Sequence, residues 1–328
     1  MTVVTYSDVL QARRILKGVV KDTPVLTSRY LNAAANASVF LKCENFQRVG
    51  AFKFRGAYHA VSRLELSDKE VPIIAHSSGN HAQGVALACQ IHGLQAIIVM
   101  PAPLNPFKLE AVKGYGATVH QVATPHEADR MVQDLMRQTH GRFIHAFNDP
   151  HVIAGQGTAT LEFLEAHPDL EVLLAPVGGG GLLSGTCLAA HGVNPAIKIY
   201  ACEPAFALDA LHSVKENRIL PPPRTDTIAE GLRTSLGDLT LAILRKHLEG
   251  FFIVEEHEIV HAMRVAFERL KMVIEPSSAV ALAPVLRGEL ALQGKKVGVL
   301  ITGGNINLSR FSEVCGQERV PNLHPMKP

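Results

Sequence analysis

The lysine of Ala51-Phe52-Lys53-Phe54-Arg55-Gly56 stands between two phenylalanines, and a lysine in apolar company is a candidate nucleophile. Phe54, Ala57, Tyr58, Val61 and Leu64 recur at the spacing of one buried helix face, so Lys53 falls in the first turn of a helix. Gly50 lets the chain bend sharply into that helix, whose unpaired N–H groups carry partial positive charge. Apolar neighbours and a positive helix end both disfavour an ammonium. They favour the neutral amine that Schiff-base chemistry requires.

Three further stretches carry ligand-binding chemistry. The apolar run Val172 to Val177 leads into Gly178-Gly179-Gly180-Gly181 and then Leu182. Without Cβ atoms, such a turn lets backbone N–H groups close on a phosphate at a helix start. Ser77-Ser78-Gly79-Asn80-His81 offers hydroxyls, an amide and backbone N–H groups to a carboxylate, and Thr302-Gly303-Gly304-Asn305 offers one neutral hydroxyl. Each follows a predicted strand, and open α/β sheets bind ligands at the carboxyl ends of their strands. Each also reads as an ordinary tight or capped turn with no ligand.

A second pattern overlaps the glycine run. Gly179, Gly181 and Ser184 approach G-x-G-x-x-G/A, and Glu203 ends the next strand where a ribose-binding acid belongs, so an NAD-dependent dehydrogenase is an alternative. Its third position is serine, and it leaves the other polar loops without a role. Glu203 and Asp209, on either side of Pro204, would with a backbone carbonyl make a hard-cation site; solvated loop acids are the plain alternative.

The elements that must position these residues alternate. A helix is predicted from Ser7 to Lys17 and strands at 24–27 and 39–42, before the Lys53 helix. Strands at 71–75, 96–100, 119–122 and 143–147 alternate with helices running through Gln90, from 106 to 113 and from 127 to 138. Gln156-Gly157-Thr158 opens another helix, and strands follow at 172–177, 198–202 and 297–302. This pattern predicts an α/β fold with parallel or mostly parallel sheets flanked by helices. Residues 73–147 carry their own strands and helices. They are expected to form a small substrate-binding domain inserted into a large domain of residues 1–72 and 148–328, with the site between the two.

Composition narrows the classes. A chain of 328 residues, 47% hydrophobic and 19% charged, has ample core for two lobes and excludes disorder. With 32 basic and 30 acidic side chains, no attraction to nucleic acid or membrane is implied. No apolar run is long enough to span a membrane, the first residues read as a surface helix, and a cytoplasmic protein is expected. The five scattered cysteines are expected to be reduced core residues, and most of the sixteen histidines packing or surface residues.

Taken in order, the Lys53 motif, the Ser77–His81 loop, Ile153-Ala154-Gly155-Gln156-Gly157-Thr158, the glycine run and Thr302–Asn305 resemble the fold-type II pyridoxal-phosphate enzymes over about residues 5–315. The group is that of the threonine/serine dehydratases and serine racemases. The resemblance implies a two-domain, tryptophan-synthase-β-like fold, pyridoxal 5'-phosphate as cofactor, and a homodimer acting on a small amino acid. With nothing of note after Cys315, the chain is expected to match the short catabolic or racemase forms. By resemblance, Lys53 would carry the cofactor and move the α-proton on one face. Phe52 would pack on the cofactor ring, Gly178, Gly179, Gly180, Gly181 and Leu182 would hold its phosphate, Asn80 its phenolic oxygen, and Thr302 would face its ring nitrogen. Ser77, Ser78, Asn80 and His81 would bind the substrate carboxylate, and Ser78 would be the acid/base on the opposite face. Glu203, Ala207 and Asp209 would bind a divalent cation, Mg or Mn. The activity implied is removal of water and ammonia from L-serine or L-threonine, with serine racemisation. A 3-hydroxyaspartate ammonia-lyase is the alternative within the group; Arg233 would then meet a second carboxylate, unless it is a surface arginine.

Overall fold

The computed structural model describes residues 3–64, 71–102 and 106–316, so the extreme ends of the expected large domain lie outside the described residues. The strands are β1 (Val25–Thr27), β2 (Ser38–Cys43), β3 (Ile73–His76), β4 (Ala96–Pro101), β5 (Thr118–Val122), β6 (Arg142–Phe143), β7 (Val172–Pro176), β8 (Lys198–Pro204), β9 (Gly250–Val254) and β10 (Lys296–Ile301). The helices are α1 (Tyr6–Leu16), α2 (Arg29–Ala35), α3 (Lys53–Ser62), α4 (Asn80–His92), α5 (Pro106–Gly114), α6 (Pro125–Thr139) and α7 (Pro150–Ala166). They continue with α8 (Gly181–Val193), α9 (Asp209–Glu216), α10 (Asp238–His247), α11 (Glu256–Glu268), α12 (Pro276–Arg287) and α13 (Leu308–Gly316).

Two sheets form. One runs β1-β2-β10-β7-β8-β9 and the other β5-β4-β3-β6. Every pairing is parallel except β1 with β2. The apolar runs of β7 and β10 are buried on both faces because helices cover both sides, the reason parallel strands read as continuous hydrophobic segments. Since β2, β10, β7 and β8 are neighbours, their carboxyl ends bring residues 44–53, 302–305, 178–182 and 203–209 side by side. The second sheet delivers the Ser77–His81 loop from β3.

Two local expectations are corrected. The strand expected over 143–147 stops at Phe143, because the His145 Nδ1 accepts the backbone N–H groups of Phe147 and Asn148 and folds the segment into a turn. Gln156-Gly157-Thr158 lies in the middle of α7, which starts at Pro150 behind an Asp149 cap.

α3 is fixed from its far side. Arg55, two residues and about 200° around the helix from Lys53, is fully buried. Its Nε meets Glu44 Oε2 at 2.7 Å, and its Nη2 meets Glu162 Oε2 at 2.6 Å. Lys42 Nζ reaches the same Glu162 oxygen at 2.7 Å. Two buried cations face two buried carboxylates, so no charge is left alone in the core.

Candidate active site

One short segment ties the separate motifs together. The Ile144 carbonyl meets His81 Nε2 at 3.1 Å, and the Ala146 carbonyl accepts from Lys53 Nζ at 2.9 Å. Phe147 packs on the glycine run: a Cβ added to Gly179 would lie 2.3 Å from its ring. Asn148 accepts from the N–H of Leu239, at the start of α10. The Lys53 amine therefore sits one residue along the chain from the contact with the glycine run. It lies 5.2 Å from the centroid of the Phe52 ring. Burial lowers its pKa to about 8, against the pull of nearby Glu275. The direction read from the sequence is right, and desolvation is its leading cause.

Gly180, with φ of +84°, caps α8, a conformation that favours glycine. The backbone N–H groups of Gly178 through Leu183 find no acceptor among the described residues. All but Gly178 are buried. Buried N–H groups without partners are costly, and here they gather at a helix N-terminus, so the cradle fits an anion. The glycines also serve packing, since added Cβ atoms would crowd Gly231, Phe147, Leu236 and Thr240. Gly179→Ala is expected to weaken binding of an anionic ligand and to cost about 1–3 kcal/mol by overpacking. Gly114→Ala, where the added atom meets nothing within 4 Å, is the control; ligand titration and thermal melting read both.

The other loop opens α4. The N–H groups of Ser78, Asn80, His81 and Ala82 are likewise without acceptors among the described residues, and Ser77 Oγ accepts from Gly79 N–H at 3.1 Å. The Ser78 hydroxyl is half-exposed and bonds no described residue. His81 corrects the expectation made of it. Its imidazole is buried, its Nε2 faces a carbonyl and must carry the proton, and burial drives its pKa down to about 3. A neutral ring with no outward N–H cannot clamp a carboxylate, so only the His81 backbone N–H is left for that task.

The residues that hold Asn80 and Thr302 were missed from sequence. Asn80 Nδ2 donates to Glu275 Oε1 at 2.8 Å, and its Oδ1 accepts from Asn305 at 2.8 Å. Thr302 is buried with its Oγ1 2.8 Å from Ser278 Oγ, and its carbonyl accepts from Phe52 N–H. Glu275 stands at the N-cap of α12 with Ser277 and Ser278 in its first turn, and Ser277 Oγ accepts from the N–H of Gly231, which packs on Gly178. Glu-Pro-Ser-Ser is a legible helix start. Nothing in its spacing shows that three binding loops converge on it.

Glu203 and Asp209 are both buried. Glu203 accepts the N–H groups of Ala210 and Leu211, at 2.7 and 3.0 Å. Both Asp209 carboxylate oxygens lack partners, and the Ala207 carbonyl accepts no hydrogen bond among the described residues. Burial raises Glu203 to about 8 and Asp209 to about 7. Orphaned carboxylate oxygens beside a free carbonyl fit a hard cation. Among the described residues no cluster of three His, Cys, Asp or Glu side chains gathers, so oxygen donors and water would complete the sphere. Because the Glu203 oxygens are held at the start of α9, beside Asp209, a ribose-binding role for it falls, and with it the dehydrogenase alternative. Arg233 is half-buried, with its Nε on the Thr227 carbonyl at 3.0 Å. A further stretch, His257-Glu258-Ile259-Val260-His261 on α11, matches a zinc-peptidase pattern that the reading of the histidines passed over. Glu258 is held by Arg287 at 2.9 Å and caps Glu255 N–H, so it cannot serve as a base there.

Comparison with known proteins agrees with this arrangement. Residues 16–303 match the family described as pyridoxal-phosphate dependent enzyme. A serine racemase of Dictyostelium discoideum is 40% identical over 96% of this chain and 98% of its own. An L-threo-3-hydroxyaspartate ammonia-lyase of Saccharomyces cerevisiae is 41% identical over 98% of this chain and 100% of its own. The crystal structure of a threonine deaminase from T.th. superposes with a TM-score of 0.87 at 39% identity, over 92% of this chain and 99% of that one.

Proposed function

The chain belongs to the pyridoxal-phosphate dependent enzymes, and we propose that it removes water and ammonia from L-serine or L-threonine, giving pyruvate or 2-oxobutanoate, and racemises serine. One observation carries this: a buried amine of lowered proton affinity stands beside a set of buried N–H groups with no acceptor of their own. The serine racemase relative and the threonine deaminase neighbour support the substrate class.

Bound here, pyridoxal phosphate supplies an aldehyde that condenses with amines and a ring that draws electrons from an amino acid's α-carbon. The Gly178–Leu182 amides and the N-terminus of α8 would hold its phosphate, and Phe52 would pack on its ring. Asn80 would hold the phenolic oxygen by turning toward it one N–H of the amide that now donates to Glu275. Thr302 would face the ring nitrogen with a neutral hydroxyl in place of a carboxylate. A neutral hydroxyl there would leave the bound ring a weaker electron sink, which suits prompt loss of the β-hydroxyl or prompt return of the α-proton. Ser77, Ser78 and the free amides at the start of α4 orient the substrate carboxylate. Lys53, neutral above about pH 8, takes or returns the α-proton on one face; Ser78 does so on the other. Loss of the α-proton with the β-hydroxyl releases water, and hydrolysis then yields keto acid and ammonia. The test is a substrate panel: pyruvate and D-serine from L-serine support the reading.

The yeast relative favours a second reading, 3-hydroxyaspartate. Arg233 spends its Nε and one terminal nitrogen on Thr227, leaving its other terminal nitrogen for a second carboxylate. Turnover of 3-hydroxyaspartate alone would replace serine and threonine with that substrate.

Glu203, Asp209 and the Ala207 carbonyl hold Mg or Mn. Chelation is expected to lower the melting temperature, and the ion at a hundredfold its Kd to restore about 2.7 kcal/mol; no change on chelation would reject the site. Residues 73–147 act as the smaller, substrate-binding domain. The exposed Leu308 and Phe267, the latter tilted against Phe311, offer apolar surface to a second copy in a homodimer. Among the described residues no helix is long and apolar enough to cross a membrane. The five free cysteines suit a reducing cytoplasm.

A further inference from the structure

Ser278 is fully buried in the first turn of α12, and its single hydroxyl meets three groups. Gly303 N–H donates to it at 2.7 Å, the Gly303 carbonyl lies at 2.8 Å, and Thr302 Oγ1 lies at 2.8 Å. One proton cannot serve both oxygens, so two arrangements compete. In the first, Ser278 donates to the Gly303 carbonyl and Thr302 donates to Ser278, which turns the Thr302 proton inward. In the second, Ser278 donates to Thr302 and leaves the Thr302 proton pointing outward. The Gly303 carbonyl permits the second, because it already accepts from Glu275 N–H at 3.0 Å and stays paired without the serine; an acceptor facing Thr302, as the ring nitrogen would be, then favours it. In the second arrangement the Gly303 N–H and the Ser278 O–H are paired within the protein, and the buried Thr302 proton is the one left for a ligand's acceptor. This arrangement also forms a chain, Gly303 N–H to Ser278 O–H to Thr302 O–H, in which each bond polarises the next.

We propose that Ser278 is a positioning residue that sets the direction of the Thr302 hydroxyl proton, so that Thr302 presents a donor to the ring nitrogen of pyridoxal phosphate and keeps that nitrogen unprotonated. The proposal rests on the reading that Thr302 faces that nitrogen. Without Ser278, Thr302 loses the bond that polarises it, and its proton is free to turn away. The nitrogen then meets a weaker donor and gains proton affinity.

The test uses holoenzyme loaded with pyridoxal phosphate labelled with ¹⁵N in the ring, its nitrogen resonance followed against pH. Wild type should show an unprotonated nitrogen at neutral pH. Ser278→Ala should raise its proton affinity by about one pH unit, the scale of one hydrogen bond, and Ser278→Thr should restore the wild-type titration. Ser278→Cys, similar in size but a poor donor, should fall between and serves if the alanine variant does not fold. A lower melting temperature with an unchanged nitrogen titration would make Ser278 a structural cap only and overturn the proposal. Thr302→Ala separates the two failures. If it shifts the nitrogen while Ser278→Ala does not, the proposal alone falls; if neither shifts it, the placement of Thr302 falls as well.

Discussion

Lys53→Ala is expected to lower turnover of L-serine by ~10⁴-fold, the upper range for loss of a positioned acid/base group. Folding should survive. The lysine contributes one hydrogen bond, to the Ala146 carbonyl, and its amine is disfavoured by its own burial, while the rest of α3 is anchored on the opposite side by Arg55. Added primary amines should restore part of the activity, because they supply the missing base without the missing position. In wild type, the rate at which apoprotein captures the cofactor should fall about tenfold per pH unit below the amine pKa, since only the neutral amine attacks. With that pKa lowered to about 8, capture is already substantial at neutral pH. A lysine at its ordinary 10.5 would be far slower there. Assays of ketoacid release and of stopped-flow cofactor uptake measure both effects.

Ser78→Ala should separate the two activities. Racemisation needs an acid/base group on each face of the α-carbon, whereas elimination needs only the one that removes the α-proton. The Ser78 hydroxyl is half-exposed and bonds no described residue, and it lies just before α4, whose positive end favours its ionised form. D-serine formation from L-serine is expected to fall by ~10²–10⁴-fold, the usual worth of such a group, while pyruvate formation from L-serine persists. Chiral chromatography alongside a ketoacid assay reads the two. Equal loss or equal retention of both would remove Ser78 from the proton transfer.

Much of this site was legible because it depends on backbone. The Lys53 helix, the glycine run and the loops after β3 and β10 are signalled by glycine, by polar clusters and by apolar strands, and these features are local in the chain. What sequence could not supply is the side-chain chemistry set by burial and by contacts between distant segments. His81 looks like a carboxylate ligand on paper. Its ring is turned inward to Ile144, where desolvation keeps it neutral. Glu275 and Ser278 were passed over, and Asn305 was read only as part of its loop, because their partners, Asn80 and Thr302, are a long way off in sequence. β9 was missed as well, since Gly250–Val254 is short and half-exposed at the sheet edge and lacks a clear period. The 143–147 segment looked like a strand from its apolar residues. His145 capping its own downstream amides bends it instead into the turn that touches Lys53 and Gly179.

The most direct measurement is borohydride reduction of the cofactor-loaded protein followed by peptide mass spectrometry. The mass of the reduced cofactor should appear on the peptide containing Lys53, at one equivalent per chain, and should be absent from Lys53→Ala. Label on another lysine, or none on protein that is folded and cofactor-supplemented, would contradict the placement of the reacting amine at residue 53.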